Sequence, residues 1–250
     1  MAATVTTTHR TDVLGVPVDV CADVLQAALA LHSRGGGQIV TLNAEMTMAA
    51  RADAALGEAI GAADLVIADG AGVVWALARQ GHRIRRSPGI ELAWALLEQA
   101  AERRWRVALV GASPAVMATL QARLKQRLPG LNLSLCLHGY QEAAAWPHLE
   151  RELLSLQPDL VLVALGVPRQ ETWIRGLAAQ RNSLAGRRSG LWMGVGGSFD
   201  VWAGTKKRAP RWMGTLQIEW LYRLLQEPSR WRRMLALPRF AWAVMRERRG

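Results

Sequence analysis

The stretch Leu65–Gly72 reads LVIADGAG, and a helical pattern follows it as far as Arg79. Its first four residues are apolar without alternation, which is typical of a short strand buried on both faces. The aspartate and glycines that follow predict a tight turn from the strand into the helix. This stretch therefore predicts one strand–turn–helix unit, with Asp69 at the carboxyl end of the strand.

The same unit recurs on either side of this stretch. Further apolar strands are predicted by the runs Gln38–Leu42, Arg106–Val110, Leu131–Leu137, Asp159–Leu165 and Leu191–Val195. Nearer the N-terminus, Asp12–Val20 predicts a strand or hairpin, and Ala22–His32 predicts a helix. Buried strands that alternate with amphipathic helices indicate an α/β fold with an open, mostly parallel sheet and helices on both faces.

Domain organisation follows from where this alternation begins and ends. Residues 1–11 are polar and rich in threonine, and we expect them to be flexible. Residues 12–204 carry the alternation without a low-complexity linker, so they predict one α/β domain. Residues 205–250 predict a C-terminal helical appendage.

Charge separates the appendage from the rest of the chain. From Gly204 onward there are twelve Lys and Arg against three Glu, a net charge of +9 out of +11 for the whole chain. Four of the eleven tryptophans also lie there. Arginine interleaved with tryptophan indicates an anionic partner, either a nucleic acid or a phospholipid surface. A solvated helix face with a few core aromatics is the alternative.

The remaining composition argues against several classes of protein. Cys21 and Cys136 are far apart and have no paired spacing, which favours reduced thiols in a cytosolic protein over a disulfide scaffold. No apolar run reaches the roughly 20 residues that a membrane-spanning helix needs. The histidines have no ligand-like spacing, so no metal site is predicted; they are His9, His32, His82, His138 and His148.

In an open parallel sheet, ligands bind beyond the carboxyl ends of the strands, where helix N-termini point. Asp69 is therefore a candidate general base for a hydroxyl group. Aspartate before a helix is also a common N-cap, and spacing alone favours the cap. Thr41 and Asn43 end another strand and could reach one ligand together. Equally, Asn43 could be the N-cap of the next helix and Thr41 could simply be buried.

Two further groups of polar residues lie at predicted helix starts. Gln170 and Glu171 follow Pro168; the helix dipole favours Glu171 there whatever its function, so a ligand contact is better supported for Gln170. In the appendage, Ile218–Gln226 should be helical and Pro228 should begin a helix in a new direction. Three arginines of this region could share an anion, or could form an exposed basic face: Arg223, Arg230 and Arg233.

With these residues in view, the chain resembles the WecB/TagA/CpsF glycosyltransferase family of bacteria, from about Val13 to Met234. Seven blocks in the family's order carry the resemblance: TLNAE (Thr41–Glu45), ADLVIADGAG (Ala63–Gly72), RSPGIEL (Arg86–Leu92), PDLVLVALGVPRQE (Pro158–Glu171), GVGGSFDVWAG (Gly194–Gly204), KRAP (Lys207–Pro210) and EWLYRLLQEPSRWRR (Glu219–Arg233). Departures are Glu91, where the family pattern has Asp, and a long stretch at Asn182–Gly190.

The resemblance implies a Rossmann-like enzyme that needs neither a metal nor a cofactor. Its implied reaction is the transfer, with inversion, of an N-acetylmannosamine-type sugar from UDP to polyprenyl-diphosphate-linked N-acetylglucosamine, in bacterial cell-surface polysaccharide synthesis. The implied roles are the catalytic base for Asp69, the sugar and acceptor pocket for Thr41, Asn43, Arg86 and Gln170, and the UDP diphosphate for Arg223, Arg230 and Arg233.

Together, the resemblance and the charge predict where such an enzyme works. We expect it in the cytoplasm, peripheral on the inner face of the plasma membrane, with the appendage closing the pocket and contacting anionic lipid. Its partners would be the UDP-sugar and the lipid-linked acceptor, and a homo-oligomer stays open. The alternative hypothesis is a basic nucleic-acid-binding α/β protein, whose binding would fall steeply with salt.

Overall fold

The computed structural model describes residues 8–183, 190–207, 209–210, 213, 219–226, 228 and 231–247. Within these residues the strands are β1 (His9–Val13), β2 (Val16–Val20), β3 (Gly36–Leu42), β4 (Leu65–Ala68), β5 (Arg106–Gly111), β6 (Asn132–Leu137), β7 (Leu160–Ala164) and β8 (Gly190–Gly194). The helices are α1 (Val24–Ser33), α2 (Ala44–Ala52), α3 (Ala54–Gly61), α4 (Ala71–Arg79), α5 (Gly89–Glu102), α6 (Pro114–Arg127), α7 (Trp146–Leu156), α8 (Arg169–Ser183), α9 (Ser198–Ala203), α10 (Glu219–Gln226), α11 (Trp231–Met234) and α12 (Ala236–Arg246).

A six-stranded sheet runs through the described residues in the order β4-β3-β8-β7-β5-β6. Every neighbouring pair of strands in it is parallel. The prediction of an open, mostly parallel α/β sheet is therefore confirmed. β3 begins earlier than expected, at Gly36 instead of Gln38. Gly36 lies directly against the backbone of Gly190 in β8, where a side chain would have no room.

Helices cover both faces of this sheet, because successive strand residues point to opposite sides. On the first face, Ile39 and Leu109 pack in one apolar cluster with α1, α5, α6 and α9. On the second face, Val40 and its neighbours pack with α2, α3 and α4, while Val110 packs with α7 and α8. β3, β4, β5, β7 and β8 are largely buried on both sides, as their continuous apolar runs predict, whereas the edge strand β6 is mostly half-buried.

β1 and β2 form a separate antiparallel hairpin beside β4. Leu14 and Gly15 make its turn with φ of 57° and 79°, a pair of left-handed residues that suits a tight hairpin. Arg10 pairs with Asp19 at 2.8 Å, and the same carboxylate accepts from the Val66 N–H of β4 at 2.7 Å. The expected flexible segment 1–11 is therefore wrong for residues 9–11, which these bonds hold in β1; residues 1–7 lie outside the described residues.

The C-terminal helices return to the α/β body. α10 agrees with the helix predicted over Ile218–Gln226, and α11 and α12 follow Pro228 as expected. α12 packs against α2 and α4, and it buries Phe240 and Val244 in the apolar cluster of the second face. Across the described part of the chain, the helices are too short or too polar to cross a membrane.

Candidate functional site

The carboxyl ends of β4, β3, β8 and β7 lie side by side at one edge of the sheet. We call this edge the rim, and it consists of the segments that follow these strands: residues 43–45, 69–72, 165–168 and 195–198. Strands in a sheet are about 4.8 Å apart, so the four strand ends span about 14 Å. A sugar and a diphosphate fit within that span. Ser113 follows β5, which lies beyond β7, so Ser113 is outside the rim.

Asp69 follows β4 directly and is half-buried. Its backbone N–H donates to the carbonyl oxygen of Leu42 at 2.9 Å, which ties this turn to the end of β3. Gly70 is the N-cap of α4. The N-cap interpretation of Asp69 is therefore wrong, because the cap position belongs to the next residue. The carboxylate stands at the rim immediately before a helix N-terminus.

Two helices begin at this part of the rim without a side-chain cap. Neither Gly70 of α4 nor Pro88 of α5 provides a side-chain hydrogen bond to its helix. Gly89, the first residue of α5, lies against Thr41: a Cβ on this glycine would stand 2.7 Å from the Thr41 Cγ2. The free N–H groups at the start of a helix favour an anion. Both helix starts therefore suit a phosphate or a developing negative charge.

Asn43 borders the same turn from the end of β3. Its Oδ1 accepts from the Met46 N–H at 2.9 Å, so Asn43 is the N-cap of α2, the alternative considered above. A Cβ placed on Gly70 would lie 2.9 Å from the Asn43 Cβ, which shows how closely the two segments approach. Capping occupies the amide oxygen, and it leaves the amide NH₂ of Asn43 as the group for a ligand. Thr41 is half-buried instead of fully buried.

Arg86 reaches the rim from the segment before α5. Its Nε donates to the backbone carbonyl oxygen of Asp69 at 2.7 Å. The neighbouring Ser87 N–H donates to the Ala68 carbonyl oxygen at 3.1 Å, so this segment runs along the end of β4. A guanidinium group therefore lies beside the turn that carries the candidate base. Composition and spacing did not single out Arg86; only the family resemblance did.

Gln170 and Glu171 form a buried pair in the first turn of α8. The Gln170 Oε1 accepts from the backbone N–H of Gly166 at 3.2 Å and of Gly196 at 3.1 Å. Its Nε2 donates to Glu171 Oε1 at 2.7 Å. Gln170 thus joins the turn after β7 to the turn after β8. The structure gives it this bracing contact, and its predicted contact with a ligand stays a prediction.

Burial changes the acid–base behaviour of Glu171. Its side chain is 2% exposed, and burial raises its pKa from 4.5 to about 7, against the smaller lowering effects of the Gln170 hydrogen bond and its own backbone N–H. Desolvation therefore outweighs the favourable helix dipole expected from the sequence. Burial also raises the pKa of the Cys21 and Cys136 thiols to about 11, so both are protonated at neutral pH.

The appendage approaches the rim through Arg233. Its guanidinium lies 3.7 Å from the Glu45 carboxylate, two residues beyond Asn43. Arg230 and the side chain of Arg223 lie outside the described residues. The Gln226 side chain donates to the Lys207 carbonyl oxygen at 3.0 Å, which holds α10 against the basic segment after α9. One of the three predicted arginines is thus placed beside the candidate site.

Possible metal ligands are dispersed in the described part of the chain. Among these residues, no group of three His, Cys, Asp or Glu side chains is arranged to hold a metal ion. The cationic groups described at the rim are instead guanidinium groups, those of Arg86 and Arg233.

Comparison with known proteins identifies the class of this chain. The family model described as "Glycosyl transferase WecG/TagA/CpsF family" matches residues 11–250. The chain belongs to this family. The match covers the hairpin from residue 11, the sheet, the rim and the C-terminal helices. Membership in the WecG/TagA/CpsF family confirms the resemblance drawn from the seven sequence blocks, and it favours the enzyme over the nucleic-acid-binding alternative.

Two relatives illustrate the similarity of this WecG/TagA/CpsF glycosyltransferase to curated proteins. A protein of Bacillus spizizenii (strain ATCC 23059 / NRRL B-14472 / W23) is 34% identical over 88% of this chain and 83% of its own length. A protein of Staphylococcus aureus (strain MW2) is 34% identical over 97% of this chain and 94% of its own length. Both are named N-acetylglucosaminyldiphosphoundecaprenol N-acetyl-beta-D-mannosaminyltransferase.

Sequence reasoning missed how the candidate residues of this glycosyltransferase support one another. The pairing of Arg233 with Glu45 joins segments almost 190 positions apart, and no local pattern indicates it. The burial of Glu171 depends on Gly194 of β8, which leaves room for it. The glycine-rich run at Gly194–Gly197 was the signal available for this close approach, but spacing alone does not say which side chain fills the space.

Proposed function

We propose that this glycosyltransferase transfers an N-acetylmannosamine-type residue from a UDP donor to N-acetylglucosamine carried on polyprenyl diphosphate, with Asp69 as the general base. The name of the two relatives describes transfer of an N-acetyl-β-D-mannosaminyl group and an N-acetylglucosaminyldiphosphoundecaprenol acceptor. The observation that carries the proposal here is the position of Asp69, at a rim where two helix N-termini and a guanidinium group meet.

The proposed step is a single displacement at the anomeric carbon of the donor. The Asp69 carboxylate takes the proton of the acceptor hydroxyl, whose oxygen forms the new bond to this carbon. The bond from the carbon to the diphosphate oxygen breaks on the opposite side, and UDP leaves with the electron pair. One displacement inverts the configuration, so an α-linked donor gives the β-linked product. A positioned base typically contributes 10²–10⁴-fold to such a step.

Departure of UDP needs positive charge where the diphosphate gains negative charge. We assign this task to the arginines of the appendage, Arg223, Arg230 and Arg233, together with the first-turn N–H groups of α4 and α5. Support comes from Arg233, which lies at the rim beside Glu45. A guanidinium group is always charged and binds phosphate oxygens in pairs, which suits it to this role. The same proposal makes the transfer independent of a divalent metal.

We propose pocket roles for the four remaining candidates. The Asn43 side chain borders Gly70 in the turn after Asp69. Thr41 borders Gly89 at the start of α5, and these positions suit both residues to contacts with the sugar or the acceptor. Arg86 lies along the turn of Asp69, where its guanidinium group could bind the diphosphate of the UDP donor or that of the polyprenyl-linked acceptor. Gln170 is 3% exposed, so its ligand contact requires its free N–H to be reached from the rim.

The appendage also presents a surface that suits an anionic membrane. Trp231 and Trp242 are each 54% exposed, and Met245 is 58% exposed. The Arg246 guanidinium stacks on the Trp242 ring at 3.8 Å, and Arg239 is exposed nearby on the same helix. Exposed indole rings beside arginines favour the interface of an anionic bilayer. We therefore propose peripheral attachment at the inner face of the plasma membrane, with residues 205–250 as the attaching segment.

A transfer assay tests the proposed function. The protein is incubated with UDP-N-acetylmannosamine and a short-chain polyprenyl-diphosphate N-acetylglucosamine, and the product is detected by mass spectrometry. We expect a mass gain of one N-acetylhexosamine, with and without EDTA. UDP-N-acetylglucosamine serves as the matched donor control, because it differs only in the configuration at one carbon. No product with any UDP-N-acetylhexosamine would contradict the proposal, and loss with EDTA would contradict its metal-independent part.

A further inference from the structure

The buried amide of Gln170 connects two glycine turns of the rim. Its Oε1 accepts from the Gly166 N–H, which follows β7, and from the Gly196 N–H, which follows β8. This arrangement requires the amide oxygen to face both turns, so the amide NH₂ must face the other way. An amide turned by 180° would place N–H groups against N–H groups and lose both hydrogen bonds.

Glu171 occupies the position that the amide NH₂ faces. The distance from Gln170 Nε2 to Glu171 Oε1 is 2.7 Å. The other carboxylate oxygen, Oε2, is buried and makes no hydrogen bond within the described residues. A carboxylate held in this way is costly to bury, so its presence calls for a compensating task.

The surroundings of the pair hold Glu171 against Gln170. A Cβ on Gly194 of β8 would stand 2.8 Å from Glu171 Oε1 and would overlap Gln170 Nε2. From β3, the Gln38 side chain donates to the Glu171 backbone carbonyl oxygen at 3.3 Å. The first turn of α8 is thus fixed against two strands of the sheet, and the pair has little freedom to move.

We propose that Glu171 is a positioning residue, whose carboxylate holds the Gln170 amide in the orientation that braces the turns at Gly166 and Gly196. Glu171 then shapes the rim on the β7–β8 side without touching the substrate. The consequence for turnover rests on the proposed glycosyltransferase function. The bracing itself does not, and it can be measured without any substrate.

Amide hydrogen exchange tests the bracing. Protein labelled with ¹⁵N-glycine is compared by NMR as wild type, Glu171→Leu and Glu171→Gln. Leucine removes the acceptor at similar volume, whereas glutamine retains one. Because a hydrogen bond to a charged group is worth at least about tenfold in an equilibrium, we expect exchange at Gly166 and Gly196 to rise about tenfold in Glu171→Leu and less than about threefold in Glu171→Gln. Ile174→Val, one turn further along α8, is the control for general loosening of the helix.

Equal exchange at Gly166 and Gly196 in Glu171→Leu and wild type would overturn the proposal, as would a rise spread evenly over all glycine amides. Should Glu171→Leu not fold, uniformly ¹⁵N-labelled wild type alone decides through the side-chain amide resonance of Gln170. This resonance must move as Glu171 titrates, and a constant position would overturn the proposal. Turnover is then measured on the same samples: a loss of about tenfold in Glu171→Leu, rescued in Glu171→Gln, is the expected result. Changed exchange with unchanged turnover would overturn the link to catalysis alone.

Discussion

Asp69 and Glu171 are two carboxylates at the same rim in different surroundings. Asp69 is half-buried, beside a glycine turn, an arginine and the start of α4. Glu171 is 2% exposed, bonded to Gln170, and its pKa is raised to about 7. The first can meet a ligand and the second supports the loops around it. Under the proposed roles, the carboxylate with the strongly shifted pKa is not the catalytic one.

The largest expected effect is on kcat, and it distinguishes Asp69, the proposed base, from Glu171. Asp69→Asn removes the proposed base and keeps the shape of the side chain, so kcat should fall on the order of 10³-fold, while UDP affinity stays nearly unchanged. Steady-state rates and calorimetry with UDP measure the two quantities. The control is Asp53→Asn, which replaces the N-cap of α3 with an equally good cap and should leave both unchanged. Unchanged turnover in Asp69→Asn would remove the residue from its role.

The next effect concerns stability and belongs to Glu171. Its raised pKa means that the folded protein binds a proton more tightly than the unfolded chain, so this group costs stability as the pH rises from 4.5 to about 7. Each pKa unit corresponds to about 1.4 kcal/mol, which makes the full cost on the order of 3 kcal/mol above neutral pH. Relative to wild type, Glu171→Gln should gain that much free energy of unfolding between pH 5 and pH 8.

Denaturant unfolding at several pH values measures this difference. A difference between Glu171→Gln and wild type that stays constant with pH would show that Glu171 is not desolvated as described.

A smaller effect is expected from the appendage arginines. Arg230→Ala or Arg233→Ala should weaken UDP binding by on the order of 1.5–3 kcal/mol, the range for a hydrogen bond to a charged group. The control is Arg239→Ala, an exposed arginine on α12 that has no assigned contact with UDP. Calorimetric titration with UDP measures all three variants. An unaltered affinity in both test variants would mean that the appendage is not part of the pocket.

The smallest effect distinguishes the two interpretations of Asn43. Asn43→Ala removes the N-cap of α2 and should lower the free energy of unfolding by about 1 kcal/mol. Asn43→Asp keeps the cap and replaces the amide NH₂ with a second carboxylate oxygen. If the NH₂ contacts a ligand, Asn43→Asp should keep the stability and lose turnover. Full activity in Asn43→Asp would leave capping as the function of the residue.

The sheet could be predicted well from the sequence because a local residue pattern indicates each strand. The runs at Leu65–Ala68 and Arg106–Val110 are short, apolar and followed by turn residues. The local sequence therefore predicts that these strands are buried on both faces. The boundaries were weaker where a distant segment decides them, as at Gly36, which joins β3 because Gly190 lies against it. The N-terminal residues 9–11 were expected to be flexible, yet an ion pair with Asp19 holds them.

The candidate site was predicted only in part, for a related reason. Asp69 and Asn43 were predicted to lie at one edge of the sheet, because the carboxyl ends of parallel strands lie at the same edge. The N-cap interpretation of Asp69 was wrong, since spacing cannot distinguish the cap position from the residue before it. The hydrogen bond between Gln170 and Glu171 beside Gly194 could not be predicted from the sequence. Predicting it requires knowledge of how three strands and a helix are placed relative to one another. The surroundings of each carboxylate thus depend on contacts between segments that are distant in the sequence, and a local pattern does not reveal these contacts.

Rescue of an alanine variant by a small acid shows whether Asp69 is the general base. Asp69→Ala leaves space at the rim for formate, which can take the proton in place of the missing carboxylate. We expect formate to restore transfer by at least about tenfold in Asp69→Ala, within the range of a general base, and to have no such effect in Glu171→Ala. Rescue of Glu171→Ala with none for Asp69→Ala would contradict this expectation, because the base would then be the buried carboxylate.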